Sequence, residues 1–335
     1  MTKYIKKFSE ITKDDVATVG YKNALLAEMY NHLAPKGIMI PDGFAITAGA
    51  FEFFINSNNL RSRINYLMKS LEPDFSNLAE TGADTRQLIM EAHMPNDLGM
   101  PIIDAYENLT DLKGTPIAVR SSGNDDTISL KHSQGFHESY LNVQGHCSLL
   151  YSVRQCFASL FSDRAIRYRE ENRMLQYEAF NSIVVQKMVR SDLACSGIGY
   201  TSYRSASIND IIKIAGIWGM AGGEVQGKGV ADEFLIFKPS VKPKELALIE
   251  KRLGTKTQML VYADDDDESN LTLCKNTTDI QRNDFVINNY EIEKLAAWGI
   301  IIEDHFKQPM SFEWAKDGEN HQLYILGAKA MTGTC

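Results

Sequence analysis

Cysteine is scarce and unpatterned in this 335-residue sequence: Cys147, Cys156, Cys195, Cys274 and Cys335 make an odd number and include no Cys-x-x-Cys pair. A disulfide framework wants an even set and a zinc knuckle wants close pairs, so the thiols read as reduced, the cytosolic pattern. Long apolar runs are missing too. No stretch approaches the roughly 20 consecutive apolar residues that cross a bilayer. The opening segment, MTKYIKKFSEITKDD, is charged where a secretory signal would need an apolar core. The expectation is a cytoplasmic protein without a membrane partner. Basic runs are absent as well: 35 Lys and Arg stand against 43 Asp and Glu, for a formal charge of -8. Bulk charge is therefore a poor basis for binding nucleic acid or anionic lipid, which leaves only a local cationic pocket.

What is present is an ordinary globular composition, 44% hydrophobic and 23% charged. At about 100–200 residues per domain the length predicts about two domains, each able to bury a core. KYIKKF reads as a strand. Leu25, Leu26, Met29 and Leu33 then recur at helical spacing until Pro35 and Gly37 end the pattern, which places Gly20-Tyr21-Lys22 in the turn leading into a helix. Amides at a helix start favour anions and a lysine adds charge there, although a simply solvated lysine is the commoner case. Residues 60–107 are polar and helix-prone, with Pro73, Pro95 and Pro101 as breaks. In the strand IAVRSS, Arg120, Ser121 and Ser122 lie at the strand end, where a guanidinium and two hydroxyls suit phosphate oxygens. A structural salt bridge accounts for Arg120 equally well.

Residues 148–171 read as one helix with Leu149, Val153, Cys156, Phe157, Leu160 and Phe161 on its apolar face, and Arg164, Arg167 and Arg169 complementing its C-terminus. SIVVQKMV reads as a buried strand. IIKIAGIWG reads as another, leading into a loop crowded by Gly219, Gly222, Gly223, Gly227 and Gly229. Glycines allow a close approach to phosphate, but one such loop is a weak signal. The acidic tract Asp264–Glu268 lacks the spacing of a calcium loop and reads as solvated. Residues 291–306 form a helix with Ile292, Leu295, Ala296 and Ile302 inward. A hairpin turning at Asp317-Gly318 follows, putting Ser311 and Glu313 on one face of its first strand and Gly327 and Lys329 on one face of the second. A carboxylate and a cation could converge there on a ligand; a cross-strand ion pair fits the same pattern.

Taken in order, VGYKNALLAEM, IPDGFAIT, IAVRSS, ESYLNV, SLFSDRAIRYR, VVQKMVRSD, VQGKGVADEF and IEDHFKQPMSFEWAKDG resemble successive blocks of the N-terminal ATP-binding region of the phosphoenolpyruvate synthase and pyruvate phosphate dikinase family. The resemblance runs over nearly the whole chain. It implies an α+β fold of the ATP-grasp type, two lobes closing over ATP, with residues 1–190 as the first lobe and 191–335 as the second. It further implies that Lys22 and Arg120 hold the triphosphate, with Ser121 beside them and Gly135 as the glycine of the following loop. Gln186, Lys187, Met188 and Val189 would line the adenine, and Glu313 would ligate magnesium, a hard ion that takes carboxylate and phosphate oxygens. Lys329 would supply a further catalytic cation.

Several positions depart from the family pattern. Tyr21 replaces a glycine, Asp125 or Asp126 must stand in for an acidic pair, and Glu224 falls two places beyond the expected carboxylate. Ser311 replaces an acidic residue; Gly327 and Lys329 stand where the family has glutamine and arginine. Lysine keeps the charge but not the two-pronged geometry. In the family the ATP domain phosphorylates a histidine carried on a swivelling domain, and none of the seven histidines here has that sequence context. The expectation is therefore an ATP- and magnesium-dependent phosphotransferase component, either an excised domain or a stand-alone subunit like that of phenylphosphate synthase. It would pass a phosphoryl or pyrophosphoryl group to a histidine on a partner, for onward transfer to pyruvate, a phenol or another small molecule, leaving AMP and phosphate. The alternatives are a degenerate nucleotide-binding regulatory subunit and a direct kinase yielding ADP.

Overall fold

Runs of β-branched residues build the strands of two sheets, and amphipathic helices cover them. The structure, a computed structural model, describes residues 3–110, 115–122, 139–174, 176, 182–205, 208–220, 229–240, 248–263 and 272–331. Asp125, Asp126, Gly135, Gly222, Gly223, Glu224, Gly227 and the tract at 264–268 lie outside the described residues. Two compact units divide the chain: Met1–Ala27 with Asp42–Met188, and Glu28–Pro41 with Val189–Cys335.

The first unit holds β1 (Ile5–Lys7), the start of α1 (Val16–His32), β2 (Gly43–Ile46), α2 (Ala48–Ser57), α3 (Leu60–Lys69), α4 (Leu78–Met90), α5 (Asn96–Thr110), β3 (Ile117–Ser122), β4 (Ser139–Val143), α6 (Gly145–Ser159), α7 (Asp163–Glu171) and β5 (Ser182–Lys187). Its sheet runs β1-β2-β5-β3-β4, antiparallel throughout. Ile183, Val184 and Val185 of the central strand are fully buried, as a run of β-branched residues covered on both faces should be. Phe157 of α6 packs tilted against Phe51 and Phe54 of α2, with ring centroids 5.2 and 5.3 Å apart.

Two local readings are corrected. Residues 148–171 are not one helix: α6 stops at Ser159, and Ser162 caps a new helix by accepting a hydrogen bond from Ala165 N at 3.3 Å. Arg169 is correspondingly buried, donating to Gln176 Oε1 at 2.7 Å and to the Leu160 carbonyl. Pro101 lies inside α5, where it cannot donate to the Asp97 carbonyl and its ring crowds that group, and the helix nonetheless continues to Thr110.

The second unit holds β6 (Cys195–Ser205), β7 (Ile208–Trp218), β8 (Asp232–Phe237), β9 (Leu248–Arg252), β10 (Gln258–Tyr262), β11 (Thr272–Asn276), α8 (Asp279–Asn283), α9 (Asn289–Phe306), β12 (Met310–Lys316) and β13 (Leu323–Ala330). Six strands order as β13-β12-β6-β7-β8-β9, and β10 with β11 forms a separate ribbon. Ile292, Leu295, Ala296 and Ile302 of α9 are fully buried, on the face their spacing predicts. A buried ion pair braces the far side of this unit: Asp232 accepts from Lys256 Nζ, from Gly254 N at 2.7 Å and from Val286 N at 2.9 Å. Both side chains are fully enclosed, and the backbone donors offset the cost of desolvating the pair. Among the described residues no helix is long and apolar enough to cross a membrane.

Candidate functional site

In the first unit the candidate residues lie along β3 and β5 and on the turn of α1 that packs where β3 ends and β5 begins. Gly20 interrupts α1 at φ 76°, ψ 162°, a conformation only glycine adopts without strain. A Cβ there would lie 2.7 Å from Ser122 Oγ and 2.8 Å from Ser182 Oγ. The turn carrying Tyr21 and Lys22 is thereby set directly on the strand ends. Along β3 and β5 the register pairs Arg120 with Val184, Ala118 with Gln186 and Ser122 with Ser182. Opposed residues of an antiparallel pair share a face, so Arg120 and Gln186 project to the side on which the Lys22 turn sits. Ser121, opposite Ile183, and Lys187, opposite Ile117, project to the other side. Arg120 and Gln186 thus share the face of the sheet on which the Gly20 turn packs, Gln186 toward the opposite strand end, and Ser121 and Lys187 face away from it.

Beyond β5 the backbone is already committed. Lys187 N donates to the Asp42 carbonyl at 3.0 Å and Met188 N to that of Pro116 at 2.9 Å. A base edge at this strand would therefore meet carbonyl oxygens and side chains rather than those two amides. Met188 closes the first unit and Val189, which is buried, opens the second.

In the second unit Glu313 and Lys329 lie on the hairpin of β12 and β13, where Glu313 pairs with Gly327 and Ser311 with Lys329. All four share one face, with Glu313 and Lys329 as diagonal neighbours and both exposed. The opposite face fixes this orientation. Phe312 and Trp314 are buried there, in space left by Gly199 and Gly197, where an added Cβ would meet the Phe312 ring at 2.1 Å and the Trp314 ring at 2.8 Å. Burial of those two rings dictates that Glu313 between them points the other way. Gly327 leaves room beside the carboxylate, with Glu313 Oε2 3.8 Å from where a Cβ would stand.

Among the described residues no group of three or more His, Cys, Asp or Glu is gathered to hold a metal. An exposed carboxylate with space beside it still fits magnesium, which takes one or two carboxylates and completes its shell with phosphate oxygens and water. Arg120, on the face of the first sheet where the lysine turn packs, suits a polyphosphate by the same elementary chemistry. Spacing and motif order pick out Lys22, Arg120 and Glu313. They miss Asn23 and Ser182, fully buried under the lysine turn, whose only sequence signal is an asparagine directly after the lysine.

Comparison with known proteins bears on this arrangement. Residues 16–334 match the family model described as the pyruvate phosphate dikinase AMP/ATP-binding domain. The chain is 36% identical to the phosphoenolpyruvate synthase of Aquifex aeolicus over 333 residues, covering 96% of this chain and 39% of that protein. It is 38% identical to that of a Synechocystis species, covering 99% of this chain and 42% of the relative. The figures for the Escherichia coli phosphoenolpyruvate synthase are 35% identity, 97% and 41%. The chain therefore spans about two fifths of the length of these relatives.

Proposed function

The chain belongs to the pyruvate phosphate dikinase AMP/ATP-binding domain family, and from that premise we propose that it is the ATP-binding component of a magnesium-dependent phosphotransferase with the ATP-grasp fold, its lobes being residues 1–190 and 191–335. The observation that supports the proposal is the Gly20 turn, which packs, two residues before Lys22, on Ser122 and Ser182 at the face of the sheet that Arg120 shares. Lys22 and Arg120 would neutralise neighbouring phosphates of ATP, with Gln186 farther along β5 toward the base and Met188 and Val189 following in the chain. Glu313 would hold magnesium, whose contribution when bound is to neutralise phosphate oxygens. Lys329, the diagonal neighbour of Glu313, adds charge on the same face. Phosphoryl transfer asks chiefly for position and charge neutralisation, which is why such a site needs no activated nucleophile of its own.

The acceptor in this reading is a histidine on a partner domain or subunit, which hands the group to pyruvate, a phenol or another small molecule, with AMP and phosphate left behind. The names of the relatives and their greater length support it. A second reading, a nucleotide-binding regulatory subunit without turnover, is favoured by Gly327 and Lys329, where the resemblance expects glutamine and arginine.

One experiment separates the two. The chain is incubated with magnesium and ATP labelled at the β-phosphate, with and without the histidine-bearing remainder of a phosphoenolpyruvate synthase. Labelled partner with AMP release is expected, and Glu313→Gln should lower that transfer by about 100-fold or more, in line with the loss of a main electrostatic group. ATP binding with neither AMP nor labelled histidine in any pairing would leave the regulatory reading standing; no ATP binding at all would sink both.

A further inference from the structure

A buried polar knot lies directly beneath the turn that carries Lys22. Asn23, Ser122 and Ser182 are 0%, 1% and 0% exposed, and the Gly20 backbone is pressed so close to Ser122 and Ser182 that a Cβ would stand 2.8 Å or less from both. Two carbonyls compete for donors here. Ser182 Oγ lies within hydrogen-bond reach of the Val19 carbonyl and, at 2.8 Å, of the Ser122 carbonyl, yet a hydroxyl has a single proton. Asn23 resolves the competition. Its Nδ2 donates to the Val19 carbonyl at 2.8 Å and lies 3.4 Å from Ser182 Oγ, so the Val19 carbonyl has a donor whichever carbonyl takes the Ser182 proton. Ser122 Oγ makes no hydrogen bond among the described residues, so it is no substitute donor. The consequence is geometric: one side-chain amide and one hydroxyl tie the backbone before Lys22 to the last residue of the strand that carries Arg120.

We infer that Asn23 and Ser182 are positioning residues for triphosphate recognition, presetting the spacing of Lys22 and Arg120 before a ligand arrives. The inference rests on the nucleotide-binding reading of this site. Neither residue need touch the ligand. Deleting either removes a side-chain donor from these buried carbonyls, which the turn can replace by moving toward water. Movement of the turn displaces the Lys22 ammonium and leaves the sheet intact, so the part of the affinity that comes from phosphate suffers and the part that comes from the nucleoside does not. Preorganisation of this kind acts by removing an ordering cost from binding.

The test compares Mg·ATP, followed by calorimetry, with adenosine, followed by saturation-transfer NMR, on the full chain. Asn23→Ala and Ser182→Ala should each weaken Mg·ATP by about tenfold while adenosine stays within about twofold. In a Lys22→Ala background Asn23→Ala should add almost nothing, because the group it positions is gone. Equal weakening of ATP and adenosine, or full additivity with Lys22→Ala, would overturn the inference by marking the knot as general packing. Ser182→Ala removes one oxygen with little change in volume, so it keeps the test open if Asn23→Ala does not fold, as thermal unfolding would reveal. Absence of ATP binding in the unsubstituted chain is a different result: it removes the nucleotide reading itself.

Discussion

Cys195 and Cys147 are the same residue in opposite surroundings. Cys195 is enclosed at the start of β6, where its thiol donates to the Val286 carbonyl at 3.2 Å. Burial there pushes the thiol far above its ordinary value, because a thiolate would have to be desolvated. Cys147 is exposed near the start of α6. At pH 8, iodoacetamide should therefore label Cys147 within minutes and leave Cys195 untouched until the protein is unfolded, as peptide mass mapping would record. The same shift has a sign for stability. A group whose folded value is raised contributes below the unfolded value, so stability should fall as pH climbs past the ordinary thiol value of about 9. Rapid labelling of Cys195 in the native chain would mean that the packing of β6 against the 286–287 segment is wrong.

At the scale of elements, α9 shows what periodicity can and cannot deliver. Its apolar face is legible because Ile292, Leu295, Ala296 and Ile302 repeat at helical spacing, and the hairpin after it is legible because alternation and the Asp317-Gly318 turn coincide. The break between α6 and α7 is not: Leu160 and Phe161 prolong the apolar face straight through it, and only Ser162, an unobtrusive cap, ends one helix and begins the next. The edge strand β9, LIEKR, is half polar and gives no periodic signal. The candidate site divides likewise. Lys22, Arg120 and Glu313 sit in recognisable motifs, whereas the bond between Asn23 and Ser182 joins residues 159 positions apart that no local pattern connects. The start of α9 offers a measurement. Asn288 Oδ1 accepts from Glu291 N at 3.0 Å, and Asn288 N donates in return to the Glu291 carboxylate at 2.9 Å, which also pairs with Lys316 at 2.6 Å. Asn288→Ala should destabilise the second unit by about 1 kcal/mol, and Asn288→Ser should cost much less. All three tryptophans, Trp218, Trp298 and Trp314, belong to that unit, so urea unfolding followed by tryptophan fluorescence isolates the effect.

At the scale of the whole molecule, the second unit is not a contiguous stretch of chain. Residues Glu28–Pro41 belong to it although about 150 residues of the first unit follow before Val189 resumes it. The segment is integral to its packing. Met39 accepts a backbone hydrogen bond from Ile325 N at 2.8 Å, and Glu28 pairs with His305 at 2.8 Å. Met29, Leu33 and Ile38 in the same segment are essentially fully buried, at 0%, 0% and 1% exposure. Each such side chain contributes roughly 1.5–3 kcal/mol by leaving water, and a folded domain has only about 5–15 kcal/mol in hand. A fragment of residues 189–335 expressed alone should therefore lose most or all of its cooperative unfolding transition and bind hydrophobic dye. Supplying residues 28–41 through a flexible linker to its N-terminus should restore a sharp transition in tryptophan fluorescence. A stable, cooperatively folding 189–335 fragment would show that the early segment is dispensable. Loss of the transition, restored by the added segment, would show that the second unit is built from two separate stretches of the chain and cannot be excised as residues 189–335 alone.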